Sequence, residues 1–138
     1  MPAEGSRLNY RVIGFRFPFM QGGVDYKLEI AAGNYSTEDS FKKNIIAKLP
    51  VKRNKIIAEV PAFGAPYTWR YSYSLKHTTT RSPLYHFSTL SVPEVETNDI
   101  RLRIMQPPLK HTGDYVFMDG NWTLYDINGR PVWYLPGI

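Results

Sequence analysis

PYTWRYSYSL, Pro66–Leu75, places Tyr67, Trp69, Tyr71, Tyr73 and Leu75 at every second position, with Thr68, Arg70, Ser72 and Ser74 between them. Period two belongs to a strand whose successive side chains point to opposite faces. An aromatic stripe at that spacing is either a binding platform or one face of a sheet core. Tyr67, Trp69 and Tyr71 on a central strand each bury a large apolar area that a core needs, so the core reading is expected. Tyr73, nearer the strand end, is the member expected to be exposed.

The same alternation recurs on both sides of this stretch, and helical periodicity does not. In VDYKLEIA, Val24, Tyr26, Leu28 and Ile30 face one way and Asp25, Lys27 and Glu29 the other. YRVIGFRFPF is rich in β-branched and aromatic residues and is ended by Pro18. KIIAEVPAF puts Ile56, Ala58 and Val60 on one face, and PLYHFSTL and DIRLRIMQ read as further strands. DYVFMDGNWTLYDINGRPVWYL supplies two or three short ones, and Asn128-Gly129 predicts a two-residue hairpin turn pairing residues 122–127 with 131–135. Turn-forming runs (QGG, GNYSTEDS, FGAP, KHTTTRSP) separate the strands, and the one short helix expected lies near STEDSFKKN, capped by Ser36 or Thr37. Many short strands with frequent turns predict an all-β sandwich or barrel.

The chain has 138 residues, enough for one ordinary domain or a smaller one with part of another. It is 43% hydrophobic and 21% charged, so it has apolar material for a packed core and is not a disordered composition. The absence of cysteine excludes a disulfide framework, a thiolate zinc site and a cysteine nucleophile. No apolar run reaches the length of a membrane-spanning helix, and MPAEGSRLNY lacks the apolar core of a signal peptide. Seventeen Lys and Arg against twelve Asp and Glu give a net charge of +5. That charge is spread along the chain, and its one dense run, KLPVKRNK at residues 48–55, reads as a solvated loop or a protected sheet edge, so no nucleic-acid partner is expected. NYS at Asn34 and NWT at Asn121 are glycosylation sequons at a density close to chance.

From residue 24 to residue 90 the order of features is more specific than generic β-structure. VDYKLEIA, then NKIIAEVPAFGAP, then YTWRYSYS, a Ser-Pro loop and finally LYHFST resembles a fibronectin type III domain of the kind attached to bacterial polysaccharide-processing enzymes. The resemblance implies an antiparallel sandwich of immunoglobulin/fibronectin III type, in which Tyr67 tethers a turn and the following aromatics fill the space between the sheets. Pro61 stands where that family usually has Leu. LSVPEVETND then reads as a linker. Beyond it, GDYVFMDGNWTLYDINGRPVWYLPG resembles the opening of the catalytic β-propeller of arylsulfate sulfotransferases, a likeness carried by Asp126, Asn128, Gly129, Val132, Trp133 and Tyr134. About 40 residues supply one blade at most, and the histidines and arginines of that family's site lie further along its sequence. The expected organisation is therefore a sandwich over residues 1–91, a linker over 92–99, and a C-terminal β-hairpin extension or the first strands of a following domain over 100–138. An apolar strand at 132–135 is expected to pair with the sandwich, with a second chain or with further sequence.

Motif-based chemistry is sparse. His77, His86 and His111 have no metal-ligand spacing and read as surface histidines, while Asp114, Asp119 and Asp126 follow turn chemistry rather than a calcium loop. No nucleophile elbow and no Gly-rich phosphate loop is present. No catalytic residue, metal ligand or cofactor is therefore assigned. The candidate binding residues are Tyr35, Tyr73, Lys76, His77, Arg81 and Trp122, because aromatic rings stack on sugar faces and cations meet sulfate or carboxylate groups. The expected function is a non-catalytic accessory module, the N-terminal domain of a secreted or periplasmic arylsulfotransferase-like or polysaccharide-processing enzyme. The alternative is a free-standing carbohydrate-binding or protein-interaction sandwich. Its partners are expected to be the remainder of a larger polypeptide, a second copy, or a polysaccharide.

Overall fold

The computed structural model describes residues 2–91, 115–118, 123–126 and 129–134. They form β1 (Ser6–Leu8), β2 (Val12–Arg16), β3 (Val24–Ala32), α1 (Glu38–Lys43), β4 (Ile45–Pro50), β5 (Lys55–Glu59), β6 (Pro66–Leu75), β7 (Thr78–Arg81), β8 (Tyr85–Thr89), β9 (Tyr115–Met118), β10 (Thr123–Asp126) and β11 (Pro131–Tyr134). Among the described residues the protein is mostly β-structure, with one short helix.

The largest sheet runs β1-β8-β6-β3-β4. β6 is its axis. Along one side it pairs with β3; along the other, Pro66 to Trp69 pair with β8 and Ser72 to Leu75 with β7. All these pairings are antiparallel, and the short β1 joins β8 in parallel. β2 and β5 form a separate antiparallel pair, and β11-β10-β9 a third sheet.

The apolar faces meet between β2-β5 and the large sheet. Ile13, Phe15 and Phe17 of the β2 segment pack with Tyr26, Leu28, Ile30, Tyr67, Trp69 and Phe87. Phe15 meets the Trp69 ring edge-on at 5.1 Å, and Phe17 stacks on Tyr71 at 4.6 Å. The aromatic stripe of β6 is thus core, as its spacing predicts: Tyr67 and Trp69 are fully buried, Tyr71 half-buried. Tyr73 is half-buried too, against Tyr26 at 5.6 Å. The Tyr67 hydroxyl accepts from the Ala62 amide at 3.0 Å and donates to the Ala62 carbonyl at 3.1 Å, tying down the turn five residues upstream.

Several elements depart from the sequence reading. Val24 is 57% exposed although its strand alternates, because Asp25 has φ 54° and the β3-β6 register shifts between Val24 and Lys27. One extra residue there turns Val24 out of phase with Tyr26. The intervening face of β6 is not solvated: Thr68, Arg70 and Ser72 are buried. α1 lies over that face, capped as expected by Thr37, with Phe41 fully buried and 4.9 Å from the Arg70 guanidinium. KHTTTRSP, read as a turn, contains β7, which is exposed at every residue and so carries no alternation. The basic run at 48–55 spans the end of the edge strand β4 and the turn into β5, in keeping with a charged, protected edge.

The C-terminal hairpin closes differently from a two-residue turn at Asn128-Gly129. The Asp126 amide donates to the Arg130 carbonyl at 2.8 Å and Gly129 N–H to the Asp126 carbonyl at 3.0 Å, with Gly129 at φ 78°. The loop therefore has three residues, its glycine in the left-handed position that a bulged hairpin needs. β11 also meets the N-terminal segment: Arg11 N–H donates to the Val132 carbonyl at 2.9 Å and Tyr134 N–H to the Asn9 carbonyl at 3.2 Å. The buried Arg11 side chain donates twice to the Pro131 carbonyl and once each to the Val60 carbonyl and the Glu59 carboxylate. The linker expected at 92–99, the strand DIRLRIMQ, His111, Asp114, Asp119 and Trp122 lie outside the described residues.

Candidate functional site

Strand direction sorts the side chains to two ends of the molecule. One end holds the start of β6, the end of β3 and residues 61–65. The other, the hairpin end, holds the β6-β7 turn, the start of β3, residues 17–23, and the turn from β4 into β5.

Of the candidate binding residues, Tyr73, Lys76, His77 and Arg81 share the β6-β7 hairpin, with Lys76 and His77 at its turn and Arg81 opposite Ser72 at the other end of β7. Tyr35 does not. Its amide donates to Thr68 Oγ1 at 3.0 Å, near the opposite end of β6, and its hydroxyl is used internally on the Ala32 carbonyl at 2.7 Å. Tyr73 is held against Tyr26, so within this group the exposed side chains are Lys76, His77 and Arg81.

Spacing in the sequence hides how many more cations join them. Arg16 and Lys55 face each other across β2-β5, and Lys52 and Arg53 sit in the turn before β5. Lys27 lies beside Ser72, itself opposite Arg81. Each of these cations is exposed, and none forms an ion pair among the described residues. Asp25 is the single acidic residue at that end among the described residues. Lys27 and Arg81 share the outer face of the large sheet and Arg16 and Lys55 the outer face of the β2-β5 pair, so the cations flank the hairpin end on both sides of the core. The charge that looked dispersed along the chain is therefore concentrated by the fold.

The same end also stores backbone strain. Among the described residues, four that are not glycine have left-handed φ: Asp25 at 54°, Arg53 at 61°, Lys76 at 49° and His77 at 65°. All four belong to the hairpin end. A two-residue turn with both residues left-handed is normally Asn-Gly, and each ordinary side chain there costs roughly 1–2 kcal/mol. Lys76 and His77 occupy it, putting two basic side chains at the tip of a turn they destabilise.

A shallow cleft of about 400 Å³ opens beside this face, lined by Arg16, Phe17, Pro18, Phe19 and Asn54. Phe19 is 62% exposed and Met20 38%. A second, apolar hollow of about 300 Å³ lies where β11 joins β2, lined by Tyr10, Val12, Leu124, Val132 and Trp133.

Elsewhere the buried ionisable groups are saturated. Arg70 is held by Glu29 and by both oxygens of Glu38, at 2.8 and 2.6 Å. The Arg70 hydrogen bond holds the Glu38 carboxyl below its ordinary range. His86 is not the free surface histidine its sequence position implies. Its Nδ1 lies 2.7 Å from a Glu4 carboxylate oxygen and its Nε2 2.7 Å from the Tyr35 carbonyl, two acceptors that together select the doubly protonated ring. Burial works against that charge, but the Tyr35 carbonyl and Glu4 outweigh it and raise the His86 pKa.

Among the described residues, no three His, Asp or Glu side chains converge as a metal site, and no helix is long and apolar enough to cross a membrane. No protein-family model matches the chain, and no curated protein or solved structure is significantly similar to it.

Proposed function

We propose that this chain is a non-catalytic sandwich module of immunoglobulin/fibronectin III type that binds polyanions through its hairpin end. The strand order β1-β8-β6-β3-β4 opposite a β2-β5 pair supports the fold, as does the Tyr67 tether to Ala62, a tyrosine-corner arrangement. β11 hydrogen-bonds to residues 9–11, which favours reading the C-terminal strands as an extension of the module. Its place is that of an accessory domain in a larger extracytoplasmic protein, with an arylsulfotransferase-like or polysaccharide-processing enzyme as the parent.

The observation that carries the binding function is the coincidence of free cations and backbone strain. Unpaired like charges and left-handed Lys76, His77 and Arg53 both cost stability, and both fall on one end. Strain kept at one place points to a use there. A polyanion neutralises the repulsion and repays it as binding energy.

Affinity electrophoresis tests this. Migration of the chain should be retarded by dextran sulfate and not by neutral dextran, with retardation falling as salt rises. Lys76→Glu with Arg81→Glu, and separately Lys52→Glu with Arg53→Glu, should each weaken the interaction at least tenfold. Equal behaviour in sulfated and neutral dextran at low salt would overturn the assignment.

A further inference from the structure

Resting on that reading, we propose that the cleft between the end of β2 and the turn before β5 is a subsite for one anionic sugar unit, its ring on Phe19 and its sulfate or carboxylate on Arg16.

Phe19 is 62% exposed, yet its loop is held on both sides. Phe17 is clamped to Asn54 by two hydrogen bonds, its amide to the Asn54 carbonyl at 3.0 Å and its carbonyl from Asn54 Nδ2 at 2.8 Å. Met20 is clamped by the Tyr26 hydroxyl, which meets both its amide and its carbonyl at 3.0 and 3.1 Å. Pro18, with its fixed φ, spans part of the gap. An exposed ring on a loop pinned at both sides is preorganised, so a ligand stacking on it pays little ordering entropy.

The chemistry of the lining selects the ligand. One N–H of Asn54 Nδ2 goes to the Phe17 carbonyl, and the Arg16 guanidinium is the one charged group among the cleft's lining residues. A guanidinium fork matches a carboxylate or sulfate edge, and an aromatic face matches the C–H face of a pyranose. Lys55, opposite Arg16 in the strand register, continues the positive field along a chain of such units. The hollow, at about 400 Å³, is shallow and open, so a single sugar unit would lie against it rather than be enclosed.

The test is calorimetric titration of the full chain with four probes: a heparin-derived tetrasaccharide, an oligogalacturonate, inorganic polyphosphate, and a single-stranded DNA oligomer. The expected result is that Phe19→Ala weakens the sulfated or the uronic oligosaccharide about tenfold and polyphosphate less than twofold, with the salt dependence unchanged. Whichever sugar binds identifies the anionic group. Phe19→Trp should retain binding and report it by a shift in indole fluorescence. Equal losses for sugar and polyphosphate, no loss for either, or a larger loss for DNA would each overturn the subsite. If the wild-type chain binds no polyanion at all, the broader binding reading fails; if it binds polyphosphate but Phe19→Ala leaves the sugars untouched, the subsite alone fails.

Discussion

Arg70 is 2% exposed, and its charge is tolerable because Glu29 and Glu38 hold it. Removing one member of such a cluster strands the others, at a cost of roughly 3–5 kcal/mol. Arg70→Met is therefore expected to lower unfolding free energy by about that amount in urea titration, and adding Glu29→Gln should recover part of it. Tyr67→Phe removes one hydroxyl that serves two backbone groups of Ala62, and about 1–3 kcal/mol should be lost with the denaturant m-value unchanged. His86 and Glu4 set a pH window. His86 is raised when folded, so its contribution is complete below the unfolded pKa of about 6.5 and disappears as pH climbs through the higher folded value. For Glu4 burial pushes upward, but the bonds to His86 prevail and lower its pKa, so its contribution is present above about 4.3 and lost in acid. Thermal melts should show this pair's stabilisation greatest between about pH 4.5 and 6.5, and His86→Gln should flatten the decline on the alkaline side.

At the scale of elements, legibility depended on which environment each face meets. Leu28, Ile30, Ala58, Val60, Tyr67 and Trp69 are buried as period two predicts, because one face of each strand meets a single apolar layer. Thr68 and Arg70 defeat the same rule, since α1 covers their face and hydrogen bonds replace apolar contact as the reason for burial. Nothing in a single strand's pattern reveals what a distant helix will cover. β7 escaped notice for the converse reason, being exposed on both faces and held by pairing with β6 alone. Its turn yields a prediction of its own. Lys76→Asn with His77→Gly should stabilise the protein by about 1 kcal/mol or more, because both residues then accept left-handed φ, while weakening retention by dextran sulfate. The attachment of β11 is similarly testable: Arg11→Met removes donors to Pro131, Val60 and Glu59, and the amides of Val132 and Tyr134 should exchange faster with deuterium.

At the scale of the molecule, the candidate site was half legible. Lys76, His77 and Arg81 lie on one hairpin and are near one another in the sequence, whereas Arg16, Lys27 and Arg53 come to the same end of the molecule through strand pairings that no local window contains. A net charge of +5 understates the field at that end, since the acids Glu4, Glu38, Asp39 and Glu59 lie away from it. Cations without ion-pair partners at one end destabilise the folded chain by an amount that counterions remove. Melting temperature is therefore expected to rise with moderate salt and to rise further at low salt with dextran sulfate, and a melting temperature indifferent to both would contradict the picture. Arg11 has a last consequence, for birth rather than for binding. Its side chain waits for a carbonyl 120 residues downstream. At roughly 5–20 residues per second the ribosome delivers Pro131 some 6–24 s after Arg11. β5 follows within roughly 2–10 s, so for about the first two-fifths of that interval the β2 segment has emerged with neither β5 nor β11 beside it, and the nascent chain then carries an open strand edge that a holdase or a neighbouring ribosome's product can occupy first.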